Sequence, residues 1–313
     1  MTNSQLDPDA QRLIDAGSAA GLPPVYTLPI DDARDRMRSA FISNQPTTDI
    51  LEVRNIVIPG PLGGIPARIY RPSLAVLPCI MFFHGGGWTL NDLDTHDHLC
   101  RLIANDVECV VISVDYRRSP EAKYPAPLDD CFLATAWASA NHVELNIDLK
   151  RIAVMGDSSG GTCALSVALL ARDRSFPRLR QVVAVYPVTD SPDLSRGSYV
   201  ERGSGYSLDS SLMEWFWDSY TDETSDLSDP YLCPVRLVDA SDLPRMVVVV
   251  AEFDPLRDEG LEFAVKVRSG GGEVISWTAD DQMHGFLLQT SAISNAKLQL
   301  SRICQQLRLG FSE

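Results

Sequence analysis

One serine of this chain stands where it could act as a nucleophile. The run Gly156-Asp157-Ser158-Ser159-Gly160 has the spacing G-x-S-x-G and lies between a β-rich stretch (151–154) and a helical one (162–172). A serine at the apex of such a strand-to-helix turn has a strained backbone, and its neighbours must be nearly free of side chains. The pattern therefore predicts that Ser158 projects its hydroxyl above a sheet. The alternative is a glycine-serine loop that merely caps a helix.

A second chemical feature is a run of glycines directly after an apolar stretch. Residues 79–83 are typical of a strand buried on both faces, and His84-Gly85-Gly86-Gly87-Trp88 follows them. Consecutive glycines can bring bare backbone N–H groups close to a substrate oxygen. A phosphate-binding loop would need a Lys-Ser/Thr pair after the glycines, and none follows. The run thus favours an oxyanion site over a plain turn, for which one glycine would be enough.

Two further side chains follow predicted strands. Asp254 comes after the apolar stretch 246–251, and His284 lies on a loop after the shorter stretch 273–277. A carboxylate at a strand end can orient an imidazole, which can in turn take a proton from a serine. Asp258 is a competing carboxylate, but we expect it in the next helix, away from the strand end.

A parallel sheet would bring these residues together, and the rest of the sequence predicts one. Buried apolar strands alternate with helical runs, which is typical of an α/β fold whose mostly parallel sheet is covered on both faces. Ligands of such sheets bind outside the carboxyl ends of the strands. The predicted strands are 51–58 and 65–70, as an antiparallel pair, then 78–83, 109–114, 152–155, 181–186, 246–251 and 273–277; predicted helices include 8–17, 31–43 and 125–140.

Taken together, the motifs resemble those of the hormone-sensitive-lipase family of bacterial esterases, in the branch with a GDSAG-type elbow. The resemblance extends from about residue 50 to the C-terminus, and it includes the α/β-hydrolase order Ser, Asp, His along the chain. The matching motifs are His84-Gly85-Gly86-Gly87-Trp88, Asp115-Tyr116-Arg117, Ser119-Pro120-Glu121, Tyr124-Pro125-Ala126, Gly156 to Gly161, Asp254 to Glu259 and His284-Gly285-Phe286.

The resemblance implies an α/β-hydrolase fold with an eight-stranded, mostly parallel sheet and helices on both faces. It implies Ser158 as the nucleophile, His284 as general base and then acid, and Asp254 as the orienting carboxylate. No metal or organic cofactor would be needed. Asp280 and Asp281 would raise the pKa of His284 if they lie near its ring, whereas exposed carboxylates would have no effect, which is the outcome we expect.

The resemblance also assigns roles to the glycine run. The backbone N–H groups of Gly86, Gly87 and Ser159 would form the oxyanion hole, and His84 with Gly85 would hold the loop in shape. The family commonly has alanine where this chain has Ser159. The amide survives this change, while the added hydroxyl could bond near the leaving group or compete for the nucleophile.

A helical cap is the third implication. Residues 1–48 and an insertion at about 191–234 would cover the catalytic domain, which would span 49–313. Within the insertion, Asp209 or Ser210 could cap a helix with apolar residues along one side. Aromatic side chains would wall an apolar acyl or alcohol pocket near this cap, namely Trp88, Tyr206, Trp215 and Phe216.

The composition and net charge of the chain limit the classes of molecule that such a site could bind. Apolar residues make up 45% of the 313 and charged residues 22%, the balance of a soluble globular protein. The net charge of −15 argues against nucleic acid or an anionic membrane as a partner. We expect a small-molecule ester instead. An exposed last strand would also allow edge-to-edge pairing into a homodimer.

The cysteines and the remaining histidines predict no further chemistry. Seven cysteines form no C-x-x-C pair, and several lie in apolar runs, as buried thiols of a reducing compartment do. The first residues lack a basic stretch followed by an apolar core, so we expect a cytoplasmic protein. His96 and His98 form an H-x-H pair that could bind zinc. No convincing further ligand accompanies them, and a helix beginning near Asp94 explains them more simply.

We therefore expect a serine carboxylic-ester hydrolase that cleaves short- to medium-chain acyl esters through an acyl-enzyme. An amidase, a carbamate hydrolase or a transacylase would use the same triad, because leaving-group preference depends on the shape of the pocket. A non-catalytic ligand-binding protein on this fold is a further alternative. It could keep Ser158 but would not need His284 and Asp254 in register.

Overall fold

The centre of the molecule is an eight-stranded sheet, seen in a computed structural model that describes residues 4–42 and 46–313. The strands are β1 (Glu52–Ile58), β2 (Ile65–Arg71), β3 (Leu77–Phe83), β4 (Val110–Val114), β5 (Ile147–Asp157), β6 (Gln181–Val185), β7 (Arg245–Phe253) and β8 (Val274–Met283). They lie in the order β1-β2-β4-β3-β5-β6-β7-β8. β2 is antiparallel to β1 and β4, and the other neighbours are parallel. The predicted α/β class and mostly parallel sheet are confirmed.

Helices connect most of the strands. The α-helices of the described residues are α1 (Pro8–Ala19), α2 (Ile30–Ile42), α3 (Asp97–Val107), α4 (Ala126–Ala140), α5 (Ser159–Asp173), α6 (Gly197–Arg202), α7 (Ser210–Tyr220), α8 (Arg257–Ser269) and α9 (Ser294–Ser312). None of these helices is both long and apolar enough to cross a membrane. Ser43, the predicted end of the second helix, lies outside the described residues.

The core consists of two apolar layers, one on each face of the sheet. Successive side chains of a strand point to opposite faces. Accordingly, Met81 and Phe83 of β3 join one apolar cluster, while Ile80 and Phe82 join the other. Helices α4, α5 and α8 contribute to the first cluster, and α3 and α9 to the second. All residues of β3 and β4 are buried, which explains why these strands are apolar except for Ser113.

The last strand is longer than predicted. We expected it to end at Trp277, but β8 continues through Asp280 and Asp281 to Met283. These polar residues belong to an edge strand, where side chains can face solvent, so hydrophobicity alone does not distinguish them from a loop. His284 therefore follows the strand directly and is not carried on a loop several residues further along.

Two segments outside the sheet reach the loops at its carboxyl edge. On α2, Arg34 forms an ion pair with Glu121 at 2.7 Å and donates from Nε to Thr89 O at 2.9 Å. Lys123 holds the end of α7 by donating to Thr221 O at 2.6 Å. The predicted division into a catalytic domain and a cap made of residues 1–48 and 191–234 stays a prediction.

Candidate active site

Ser158 lies at a sharp turn between β5 and α5. Its backbone has φ 53° and ψ −127°, a conformation that non-glycine residues rarely adopt and that costs about 1–3 kcal/mol. A side chain on Gly156 would collide with the carbonyl of Gly160, and one on Gly160 would collide with the carbonyl of Phe83. The spacing of the two glycines is therefore a packing requirement of the turn.

The structure brings Ser158, His284 and Asp254 into one hydrogen-bonded chain. His284 Nε2 lies 2.9 Å from Ser158 Oγ, and His284 Nδ1 lies 2.7 Å from Asp254 Oδ2. Asp254 is fully buried, and its other oxygen accepts a hydrogen bond from Leu256 N at 2.9 Å. This arrangement can orient an imidazole so that its free nitrogen faces a serine hydroxyl, as nucleophilic catalysis requires.

The other carboxylates considered from the sequence have different partners. Asp258 lies in α8, where it accepts a hydrogen bond from Ser198 N at 2.8 Å. Asp281 accepts one from Asn295 Nδ2 at 2.6 Å, and the neighbouring Asp280 is exposed. The bonds of Asp258 and Asp281 direct these two carboxylates to partners other than the imidazole of His284.

The glycine run lies beside the turn that carries Ser158. Gly86 and Gly87 have φ values of +121° and +59°, and neither N–H donates a hydrogen bond within the described part of the chain. Ser159 is the first residue of α5, so its N–H also lacks a partner inside the helix. Its hydroxyl accepts a hydrogen bond from Trp88 N at 3.1 Å. This bond joins the hydroxyl to the glycine loop, while its own O–H remains a donor, so the two sequence-based expectations for it stay predictions.

His84 lies beneath the glycine loop. Its ring is fully buried and stacks on Tyr116 with centroids 4.3 Å apart, and the Tyr116 hydroxyl donates to His84 O at 2.6 Å. Gly85 N donates to Asp157 Oδ1 at 3.0 Å, and His96 Nε2 lies 3.1 Å from the same oxygen. Burial opposes ionisation of Asp157, but His96 and the Gly85 amide outweigh it and hold the pKa of Asp157 below its ordinary value. The loop-shaping role of His84 and Gly85 stays a prediction.

His96 and His98, the two histidines of the H-x-H pair, contact different neighbours. His96 Nδ1 lies 2.9 Å from Thr95 Oγ1, whereas His98 Nε2 lies 3.3 Å from Ser291 Oγ. In residues 4–42 and 46–313, no group of three side chains is placed to hold a metal ion. The helix expected near Asp94 begins at Asp97.

The four aromatic residues predicted to wall a pocket occupy different environments. Trp88 is fully buried and stacks face to face on Tyr220 with centroids 4.0 Å apart, so the prediction that it lines a pocket is wrong. Phe216 on α7 covers the glycine loop, because a side chain on the loop's third glycine would collide with its ring. Trp215 and Tyr206 are half-buried, and for these two and Phe216 the pocket role stays a prediction.

Two contacts of His284 were not anticipated from the sequence. The Ser207 hydroxyl, in the segment between α6 and α7, donates to the backbone carbonyl of His284 at 2.7 Å. The ring of Tyr186, just after β6, lies 4.7 Å from the imidazole. Tyr186 could have been noticed as the residue that ends a buried strand, whereas no pattern in the sequence distinguishes Ser207 from other loop serines.

A separate cleft of about 1310 Å³ is lined in part by Arg151, Arg180 and Arg245, near the amino ends of β5, β6 and β7. Ligands of parallel sheets bind at the carboxyl ends. Arg245 is also already bonded to Gln181 Oε1 at 3.1 Å. We therefore place the candidate site at Ser158 and not in this cleft.

The fold and the hydrogen-bonded serine, histidine and aspartate define an α/β hydrolase, and comparison with known proteins agrees. Residues 80–288 match a family described as having the alpha/beta hydrolase fold. The chain is 39% identical over 296 residues to carboxylic ester hydrolase LipN of Mycobacterium tuberculosis, covering 90% of this chain and 77% of the relative. It is 33% identical to an ethyl acetate hydrolase of Pseudomonas putida, covering 97% and 98% of the two chains.

A solved structure extends this likeness to the whole fold. The crystal structure of a thermostable esterase from Pseudomonas putida superposes with a TM-score of 0.93 at 32% identity and covers 99% of each chain. The chain belongs to the α/β-hydrolase family, in its hormone-sensitive-lipase-like group.

Proposed function

We propose that this protein is a serine carboxylic-ester hydrolase that cleaves short- to medium-chain acyl esters of small molecules. One observation carries the proposal: His284 lies within hydrogen-bond distance of both Ser158 Oγ, at 2.9 Å, and the buried Asp254, at 2.7 Å. The names of the similar proteins, which include a carboxylic ester hydrolase and an ethyl acetate hydrolase, support the same chemistry.

The first half of the reaction forms the acyl-enzyme. Ser158 Oγ attacks the ester carbonyl while His284 Nε2 takes the hydroxyl proton, and the buried Asp254 stabilises the resulting imidazolium. The carbonyl oxygen becomes an oxyanion. Collapse of the tetrahedral intermediate breaks the bond to the alcohol, which leaves with the proton that His284 returns. Water then attacks the acyl-enzyme through the same groups and releases the acid.

The oxyanion is held by backbone amides in this proposal. The N–H groups of Gly86, Gly87 and Ser159 are the donors, and the first two make no hydrogen bond within the described residues. Their unused state supports the role, because a preset donor needs no reorganisation when charge develops. One such donor is typically worth about 3 kcal/mol of barrier.

The cap is the proposed source of substrate preference. We assign to it the helices α1 and α2 together with the insertion at about 191–234, which contains α6 and α7. Phe216, Trp215 and Tyr206 of this insertion are the proposed pocket residues. Phe216 is the best placed of them, because its ring packs against the glycine loop.

The buried cysteines and the open edge of the sheet support proposals about the compartment and the oligomeric state of the protein. We propose a cytoplasmic protein, because all seven cysteines are buried and unpaired, as is usual in a reducing compartment. The open edge of β8 leaves room for a homodimer, which sedimentation analysis of the purified protein would detect or exclude.

The test combines labelling with substrate hydrolysis. A fluorophosphonate probe should label the wild-type protein, and p-nitrophenyl esters of increasing chain length should be cleaved fastest at short to medium length. Ser158→Ala should abolish labelling and lower kcat by about a millionfold. Ser166→Ala, in the same helix α5, is the matched control and should keep both properties.

Two results would contradict the proposal. A wild-type protein that neither labels nor cleaves esters would favour the non-catalytic binding function. If matched amides or carbamates were cleaved faster than esters, the protein would be an amidase or a carbamate hydrolase, since the triad alone does not select the leaving group.

A further inference from the structure

The residues on either side of the nucleophile each hold one end of the glycine loop. Asp157 Oδ1 accepts a hydrogen bond from Gly85 N at 3.0 Å, and Ser159 Oγ accepts one from Trp88 N at 3.1 Å. The two glycines whose amides are the proposed oxyanion donors lie between these anchors. The turn that carries the nucleophile and the loop that carries the donors are thereby joined at two points.

We propose that the Ser159 hydroxyl is a positioning group for the oxyanion hole. It fixes the end of the glycine loop relative to Ser158, so that the amides of the loop face the carbonyl oxygen under attack. This inference rests on the proposed ester hydrolase function. It concerns the side chain of Ser159, which is separate from the backbone N–H assigned above as an oxyanion donor.

The acceptors of the two terminal N–H groups of the loop are not held equally, although the Trp88 carbonyl is itself held by Ser119 N at 2.8 Å. At one end, Asp157 is also in contact with His96, so several polar groups share the anchor. At the other end, Ser159 Oγ is the acceptor that the structure shows for Trp88 N in the described residues. Both Trp88 and Ser159 are fully buried, so water does not replace a lost bond there.

The backbone conformation of Trp88 explains why the hydrogen bond from its N–H to Ser159 matters. Its φ of +58° lies in the left-handed region, which a bulky residue rarely occupies and which persists only when the surroundings hold it. The indole ring is fixed by stacking on Tyr220, and the peptide N–H is fixed by Ser159. Without the hydroxyl, the Trp88 N–H loses its acceptor, and the peptide between Gly87 and Trp88 keeps the bond of its carbonyl, which accepts from Thr89 Oγ1 at 2.9 Å. The peptide can then tilt about that bond, and it carries Gly87 of the oxyanion loop with it.

The chain offers a matched control for the loss of a buried serine hydroxyl. Ser166 lies on the same helix, is also buried, and donates from Oγ to Tyr231 O at 2.8 Å. Ser166→Ala and Ser159→Ala each remove one buried hydroxyl and leave one backbone group without its partner, the half-buried carbonyl of Tyr231 or the buried N–H of Trp88. A buried group left without a partner costs about 1–3 kcal/mol of stability. Only Ser159→Ala releases the glycine loop.

The experiment measures catalysis and oxyanion binding in both variants. With p-nitrophenyl butyrate, Ser159→Ala should lower kcat about tenfold with little change in KM, less than the loss of a whole donor, which costs about 10²–10³. Its inhibition constant for a trifluoromethyl ketone, whose serine adduct carries the oxyanion, should rise by the same factor. Ser166→Ala should stay within about twofold of wild type in both measurements.

A third variant keeps the test decisive if Ser159→Ala does not fold. Ser159→Cys preserves the size of the side chain, but its sulfur is a weak acceptor, so kcat should fall by a smaller factor in the same direction. Equal kinetics of the Ser159 and Ser166 variants, or a rise in KM alone, would overturn the positioning role while leaving the proposed function intact. A wild-type protein without ester hydrolysis would overturn both.

Discussion

Replacing Asp254 by asparagine tests the proposed triad directly, because the structure determines how the new amide must lie. Asp254 is fully buried, and its Oδ1 accepts a hydrogen bond from Leu256 N at 2.9 Å. In Asp254→Asn the amide oxygen must take that position, since an NH₂ group there would face another N–H. The NH₂ group is then directed at His284 Nδ1, which lies 2.7 Å from the other carboxylate oxygen in the wild type.

The expected consequence is the wrong tautomer of His284. The ring accepts at Nδ1 and carries its proton on Nε2, so it cannot take the proton of the Ser158 hydroxyl. In a serine protease with this arrangement the same substitution lowers kcat by about 10⁴. That factor corresponds to about 5 kcal/mol of barrier. The fold should be preserved, because the volume of the side chain hardly changes.

The assay is steady-state hydrolysis of p-nitrophenyl acetate, with circular dichroism as the check on folding. Asp258→Asn is the matched control, since Asp258 lies on α8 and pairs with Arg257 at 2.9 Å. It should stay within a few-fold of wild type. If Asp254→Asn kept more than about a tenth of the activity, or if both variants lost the same factor, the assignment of the orienting carboxylate would be refuted.

Two further substitutions test the glycine loop and a buried acid. Gly87→Ala should remove most of the ester hydrolysis, because Gly87 has φ +59° and a Cβ there would collide with the Phe216 ring. Gly21 is the control: it has a similar φ of +60° but lies in open space, so Gly21→Ala should keep full activity in the same assay. Comparable activity of the two variants would contradict this account. Burial raises the pKa of Glu259 well above its ordinary value of 4.5. Above that pH the unfolded chain loses a proton that the folded chain keeps, so stability falls as pH rises, by up to about 1.4 kcal/mol per pH unit until the folded-state pKa is reached. Glu259→Gln lacks this slope, and thermal unfolding should show its stability relative to wild type increasing from pH 5 to pH 8, whereas a constant difference would exclude the effect.

Much of the fold and the positions of the site residues could be predicted because strands buried on both faces are recognisable. The runs around Ile80 and Val248 are apolar throughout, so their carboxyl ends, and the polar residues that follow, could be located from the sequence. The alternation of strands and helices then indicated a parallel sheet, which brings such ends together. The sequence therefore predicts Ser158, Asp254 and His284 at one edge of the sheet.

The features that could not be predicted depend on contacts between distant segments. The end of β8 was missed because Thr278 and Asp280 are polar residues of an edge strand and carry no apolar signal. The direction of the Ser159 hydroxyl depends on Trp88, which belongs to another loop. Trp88 was expected to wall a pocket near the cap, and its stacking on Tyr220 is visible only once α7 is in place.

The seven buried cysteines have a practical consequence. Burial raises the pKa of Cys79 and Cys304 to about 12, so their thiolates are scarce at neutral pH and reagents reach them poorly. The new thiol of Val238→Cys, at a residue that is 98% exposed, would therefore react far faster than the native thiols. A dye attached there would label the protein at one position without replacement of any native cysteine. Slow modification of the seven native thiols would measure how often the core opens.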